Sequence, residues 1–362
     1  MKSKVFSIVL ITAMTILSIQ IVGQPINLIV KAETAPLASL PTDTSNAADG
    51  NFSVIWITDT QYLSESYPSY FSALCRWIVN NAATYNVKMV IHTGDLVNVE
   101  GNQTQWANAN NSMSILLSAG IPYCWDAGNH DFNATCWIGD EYKAFNTLVM
   151  ADTSYWLGSQ SGGMDTAVHF NVSSWDFLVV NLAFQADDSD LAWANCILDA
   201  YPSAHAIVAT HAYVNRTGGY ESWANHLREV VLATHPNVFL TLSGHYYPTN
   251  GVRKTVGGRN ELVFNRQDQD SEMGAASLRI LTFDTANDTI SIKTFVIYAN
   301  TFLTDANNQF VLNTTFHNDS VQDANVPEFP KIAVTVFCLA LVTSAVVFLK
   351  RKTKLEFVPP KI

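Results

Sequence analysis

Five apolar runs in this chain each stop at a residue that can bind a metal ion or move a proton. FSVIWI leads into Asp59-Thr60-Gln61, VKMVIHT into Gly94-Asp95, and IPYCWDA into Gly128-Asn129-His130-Asp131. HAIVAT leads into His211 and NVFLTLS into Gly244-His245. Each run is short and rich in β-branched or aromatic residues, the pattern of a buried strand. Between the runs lie amphipathic stretches of helical length, over 70–84, 103–119, 187–201 and 220–234. Strands alternating with helices argue for an α/β layered domain. Residues that follow the runs then collect along one edge, where open α/β sheets build their sites.

The residue types at that edge suit a pair of metal ions. Two divalent ions about 3.5–4 Å apart can hold a nucleophile and a phosphoryl oxygen together. Such a pair needs a bridging carboxylate, a part open to Asp95. Asp, Asn, Gln and His are hard or borderline donors suited to Mn, Fe or Zn. His130 followed by Asp131 reads as an imidazole oriented by a carboxylate. The glycines at 94, 128 and 244 are expected to let the backbone turn sharply beside the metals.

The ordered set resembles the calcineurin-like metallophosphoesterase superfamily. Its pattern is D-x-H or D-x-Q, then GD, GNHD, a lone His and GHxH. The resemblance runs from Phe52 to Tyr247 by motif and continues over strands to about Leu312. It implies a four-layer αββα sandwich, with two mixed sheets packed face to face and helices outside. It also implies a metal-dependent hydrolase of phosphate mono- or diesters, working through a metal-bound hydroxide. Asp59 and Gln61 correspond to ligands of a first metal, and Asp95 to the bridge. Asn129, His211 and His245 correspond to ligands of the second. His130 corresponds to the residue that stabilises the transition state or protonates the leaving group, with Asp131 orienting it.

One position departs from the pattern. Gly244-His245-Tyr246-Tyr247 stands where the family has GHxH, so Tyr247 replaces a histidine ligand of the first metal. Three readings stay open: a tyrosinate bound to a ferric ion, a water in the gap with a loosely held first metal, or a one-metal or inactive relative. The last would make the protein a surface binding protein with one metal site retained. Tyr247 taken alone reads as a packed aromatic. His92, His169, His205, His226, His235 and His317 fit no motif position and read as packing or surface residues. Arg216 and Arg266 are the arginines that could meet a phosphate, but they are left outside the site because arginines are mostly solvated.

The ends of the chain suggest export. Lys2 and Lys4 precede an apolar run over 5–22, so residues 1–32 read as a signal peptide or N-terminal anchor. Residues 33–50 read as a linker rich in Ala, Pro, Ser and Thr, and 51–320 as the catalytic domain. A second linker, 321–331, carries Val326-Pro327-Glu328-Phe329-Pro330, which resembles the PEF-type sorting tails of archaeal surface proteins. Residues 332–349 read as a transmembrane helix and 350–362 as a basic cytoplasmic tail, which puts the body outside the cell.

Nine Asn-x-Ser/Thr sequons, all in the proposed outer part, agree with that topology. The net charge of −11, with no basic tract in the body, argues against nucleic acid as a bulk partner. A phosphoester substrate and the membrane are the expected partners. Cys124 and Cys136 flank GNHD and are candidates for a bridge outside the cell, while Cys75 and Cys196 fall on helical patterns.

Overall fold

A computed structural model describes residues 51–133, 155–248 and 251–316. The expected leader, both linkers, the 332–349 run and the basic tail lie outside the described residues, as do Cys136 and His317. Among the described residues, no helix is long and apolar enough to cross a membrane.

The chain opens with β1 (Phe52–Ile57), α1 (Gln61–Ser66), α2 (Pro68–Asn81), β2 (Val87–Thr93), α3 (Gln103–Ser118) and β3 (Tyr123–Asp126). Pro68 stands in the first turn of α2, where its missing N–H costs nothing. Asn102 caps α3, its side chain accepting from the N–H groups of Thr104 and Gln105 at 3.0 and 3.2 Å. These strands join β11 (Ser277–Asp284), β12 (Thr289–Val296), β13 (Thr301–Leu303) and β14 (Gln309–Asn313) in one mixed sheet. Its order is β13-β12-β11-β1-β2-β3, with β14 also on β12. β1, β2 and β3 run parallel, whereas β11 is antiparallel to β1.

The second sheet has the order β4-β5-β6-β7-β8-β10-β9. It contains β4 (Trp156–Gln160), β5 (Asp165–Val172), β6 (Trp175–Leu182), β7 (His205–Thr210), β8 (Val238–Ser243), β9 (Val252–Val256) and β10 (Arg259–Val263). Between β6 and β7 lies α4 (Asp188–Ala200), begun by an Asp187–Asp190 capping box. Between β7 and β8 lies α5 (Ser222–Leu227), which widens into a π-helical turn over Arg228–Leu232.

The sheets meet through the residues that alternation turns inward. Phe52, Val54 and Trp56 of β1 pack with Met89, Ile91, Leu281 and Phe283 on one side, and with Phe177, Val179, Ile207 and Leu242 on the other. On the outer face of the second sheet, Leu178, Val180 and Val208 bury Leu191, Ala194 and Leu198 of α4. On the outer face of the first, Trp77 of α2 stacks on Phe295 of β12 with ring centroids 4.6 Å apart. Each such fully buried apolar side chain contributes roughly 1.5–3 kcal/mol. The result is the expected four-layer αββα sandwich of two mixed sheets. β1, β2, β3, β7 and β8 all end at one edge, and every motif residue lies just beyond those ends.

Candidate metal centre

Asp59 follows β1 in a left-handed conformation (φ 51°), and so do Asp95 after β2 (φ 56°) and His245 after β8 (φ 59°). Non-glycine residues in this region carry a cost of about 1–2 kcal/mol each. Strain of that kind collects at functional sites, where the surroundings enforce it. Here the enforcement is visible. The Asp59 N–H donates to the Gly94 carbonyl at 3.0 Å. The His245 N–H donates to both Asp59 oxygens at 3.2 and 3.1 Å, and the Thr58 hydroxyl donates to Oδ2 at 2.5 Å.

The motif glycines work mainly by close approach rather than by turning. Gly94 does have a positive φ of 78°, but Gly128 and Gly244 do not. A Cβ at Gly128 would lie 2.1 Å from Asp95 Oδ1, and one at Gly244 would lie 2.1 Å from Thr58 Oγ1 and 2.3 Å from Asp59 Oδ2. At Gly94 it would lie 2.7 Å from His211 Nδ1. Only glycine lets these loops close on the acidic centre.

Asp95 sits in the middle. Its Oδ2 accepts from Gln61 Nε2 at 3.1 Å and faces His211 Nε2 at 3.2 Å, while its Oδ1 accepts from the His130 N–H at 3.0 Å. His211 Nε2 also lies 3.1 Å from Asn129 Oδ1 and 3.2 Å from His245 Nδ1. His211 Nδ1 donates to the Thr93 carbonyl at 2.8 Å, because a carbonyl can only accept. That fixes Nε2 as the inward-facing atom. Phe184 walls this corner, its ring centroid 6.0 Å from His211 and 5.1 Å from His245.

These residues fit a cation. Asp95, His211 and His245 each offer a ligand atom, all within 4.8 Å of one another. One N–H at His211 Nε2 cannot serve three neighbouring lone-pair atoms. A positive ion would collect all three, together with His211 Nε2. On the other side of Asp95, the buried Gln61 Oε1 has no hydrogen-bond partner among the described residues. Gln61 and Asp59 are the two residues expected as ligands of a first metal. Electrostatics points the same way. Burial pushes Asp59 up to about 7, with the Asp95 charge adding to the rise. Burial opposes a charged His211, yet Asp95 and Asp59 outweigh it and raise its pKa to about 10. Burial and the neighbouring His211 lower His245 to about 4. The buried carboxylates thus draw positive charge to His211, at the point where the ligands converge.

Two further expectations change in the structure. Asp131 does not orient His130. Its Oδ1 accepts from the N–H groups of Leu96 (2.8 Å) and Val97 (3.1 Å), and its Oδ2 from Gly128 (2.9 Å). It ties the Asp95 loop to the GNHD loop from inside, and side chains adjacent along a tight turn point apart. The Asn98 carbonyl instead receives His130 Nδ1 at 2.9 Å, and Nε2 of the half-buried ring has no hydrogen bond among the described residues. Cys124, far from bridging, is a buried free thiol 3.8 Å from Asn181 Oδ1.

Tyr247 packs as an aromatic, with the Arg216 guanidinium carbon 4.7 Å from its ring centroid. The other described histidines serve packing or surface pairs. His92 is buried against Thr60 Oγ1 at 2.9 Å, His226 pairs with Asp188 at 2.7 Å, and His235 is held by the Val231 carbonyl at 2.8 Å. Asp126, the last residue of β3, belongs to none of the five motifs. It is fully buried, both its oxygens lack partners among the described residues, and burial raises its pKa well above the usual carboxylate range. Its signal was an acid closing an apolar strand, the same one that marked Asp59.

Residues 52–247 match the calcineurin-like phosphoesterase pattern, more than half of the chain. The chain belongs to that family. A curated relative, the uncharacterized protein YvnB of Bacillus subtilis (strain 168), is 32% identical over 261 residues. That match covers 68% of this chain but only 20% of YvnB, so the chain spans about a fifth of its relative's length. Among solved structures, the purple acid phosphatase PPD1 from yellow lupin (Lupinus luteus) seeds aligns with a TM-score of 0.50 at 12% identity, over 75% of this chain and 55% of that one. GAP50, the anchor in the inner membrane complex of Plasmodium, aligns with a TM-score of 0.52 at 12% identity, over 81% and 95%. At such identities the likeness speaks for the fold alone.

Proposed function

We propose that this protein hydrolyses phosphate esters at the cell surface with two metal ions bound at this edge. The observation that carries the reading is the convergence on His211 Nε2 of Asp95 Oδ2, Asn129 Oδ1 and His245 Nδ1, all at 3.1–3.2 Å. Metal ions in such a centre neutralise phosphoryl oxygens and make a nucleophile available at neutral pH. Asp95, Asn129, His211 and His245 would hold the tighter ion, and Asp59, Gln61 and the shared Asp95 the looser one. Manganese, iron and zinc suit these donors. His130, fixed through Nδ1 to the Asn98 carbonyl, presents Nε2 to the substrate and can hand a proton to the leaving oxygen.

A second reading has one observation in its favour. Tyr247 is engaged with Arg216, which leaves the first site without an imidazole. A protein with one filled site could bind phosphoesters without turning them over. Purified protein assayed on p-nitrophenyl phosphate and its bis ester, with and without manganese, separates the two. Metal-dependent turnover supports the enzyme, and single-metal binding without turnover supports the binding protein.

The surface location is supported by the 332–349 apolar run, the basic residues after it and the sequons. Protease added to intact cells is expected to digest the 51–325 region. Protection of that region in cells whose envelope admits the protease contradicts the topology.

A further inference from the structure

Arg216 lies on the loop after β7, five residues beyond His211, and Tyr247 lies two residues beyond His245 on the loop after β8. The two loops are joined at their bases by the His245 Nδ1–His211 Nε2 contact of 3.2 Å. The Arg216–Tyr247 stack joins them a second time, at 4.7 Å. The Arg216 loop is held from within. Val214 bridges Tyr220, and Asn215 Oδ1 accepts from the N–H groups of Thr217 (3.1 Å) and Gly219 (2.9 Å) and from the Thr217 hydroxyl (2.9 Å). The Asn215 N–H donates to the Gly219 carbonyl at 3.0 Å.

Arg216 itself is exposed, and it has no ion pair or hydrogen bond among the described residues. Arg266, the other arginine considered for phosphate, differs, because it pairs with Asp270 at 3.3 Å. On a chain of net charge −11, a cation with no carboxylate partner, seated on an aromatic ring beside a metal centre, is placed for an anion. A guanidinium offers its donors in a planar fork that matches two phosphate oxygens. The ring beneath it is the residue that stands where a metal-binding histidine is expected.

We propose that Arg216, seated on the Tyr247 ring, is the phosphate-binding cation of this site and favours terminal phosphate dianions over diester monoanions. This rests on the hydrolytic reading above. The Tyr247 replacement then trades a metal ligand for a platform that carries a second positive charge, and the bare phosphate end of a monoester is what it selects.

The test uses Arg216→Gln, Arg216→Lys, Tyr247→Phe and Tyr247→Ala in the full chain, with two measurements. The first is binding of inorganic phosphate by calorimetry, which needs no turnover. Arg216→Gln is expected to weaken it about tenfold, as for loss of a charge-assisted hydrogen bond. Arg216→Lys should recover part of that loss, Tyr247→Phe should keep the affinity because it keeps the ring, and Tyr247→Ala should lose several-fold. The second is the ratio of kcat/KM for p-nitrophenyl phosphate to that for its bis ester. It is expected to fall about tenfold in Arg216→Gln, chiefly through KM for the monoester. Equal phosphate affinity in wild type and Arg216→Gln overturns the proposal, whether or not the protein is an enzyme. Turnover of neither ester with any added metal sinks the hydrolytic reading, and phosphate binding then decides Arg216 by itself.

Discussion

Asp131→Ala should unfold the edge rather than slow the chemistry. The carboxylate is fully buried and accepts from three backbone N–H groups, those of Leu96, Val97 and Gly128, at 2.8–3.1 Å. Alanine leaves all three donors buried without partners. An orphaned buried donor costs about 1–3 kcal/mol, so the sum is roughly 3–9 kcal/mol. A domain is typically stable by about 5–15 kcal/mol, so the upper part of that range leaves little folded protein. Asp131→Asn is the graded version. Its oxygen can keep Leu96 and Val97, but its NH₂ then faces the Gly128 N–H, so about 1–3 kcal/mol is lost. Urea unfolding at pH 8 with bound metal measures both, and elemental analysis reports whether the Asp95 loop still holds its ion. A loss below about 1 kcal/mol for Asp131→Ala, with metal retained and only kcat reduced, refutes the reasoning and returns Asp131 to the role of orienting His130.

Three further outcomes follow from the geometry. His245→Ala should remove far more bound metal than Tyr247→Phe, and equal metal content by elemental analysis contradicts the ranking of the two sites. His130→Ala should keep its metal yet lose about 10²–10⁴-fold in kcat on esters with poor leaving groups, and less on p-nitrophenyl phosphate, whose leaving group needs no proton. Loss of metal in step with activity would make His130 a prop instead. The third concerns pH. Folding raises Asp59 and Asp131 to about 7 and His211 to about 10, so metal-free protein gains stability from their bound protons at low pH. That gain is present below their unfolded values and is lost as pH rises through 7 and then toward 10. The Tm of chelator-stripped protein should therefore fall between pH 6 and pH 9, and bound metal should flatten the fall. A Tm that rises over that window, with metal absent, contradicts it.

The strand-end residues were legible because their signal is local. An apolar run that stops at Asp59, Asp95, Asn129, His211 or His245 shows in the string itself, and the fold then brings those stops together. The helices at 68–81, 103–118 and 188–200 lie within a few residues of the amphipathic stretches that foretold them. The π-helical turn at Arg228–Leu232 did not show, since it keeps the helical apolar pattern. The β4–β6 edge was also missed, because in Asp165–Val172 the buried run breaks off at His169 and Phe170 and the alternation is weak. The partners of Asp131 and His130 were out of reach for another reason. Both use backbone groups of residues 96–98, and backbone donors and acceptors leave no mark on a sequence. Tyr247 showed as a departure, but its meaning depended on Arg216, thirty-one positions away in the chain.

The central claim is that the Asp95–His211–His245 cluster binds the metal on which phosphoester hydrolysis depends. The most direct test strips the full chain with chelator, titrates manganese back, and follows bound metal and p-nitrophenyl phosphate turnover in the same samples, for wild type and Asp95→Asn. The account predicts no turnover in stripped wild type, activity that returns with bound metal, and neither metal nor activity in a folded Asp95→Asn protein. Turnover by the stripped protein, or Asp95→Asn that stays active at wild-type metal content, contradicts it.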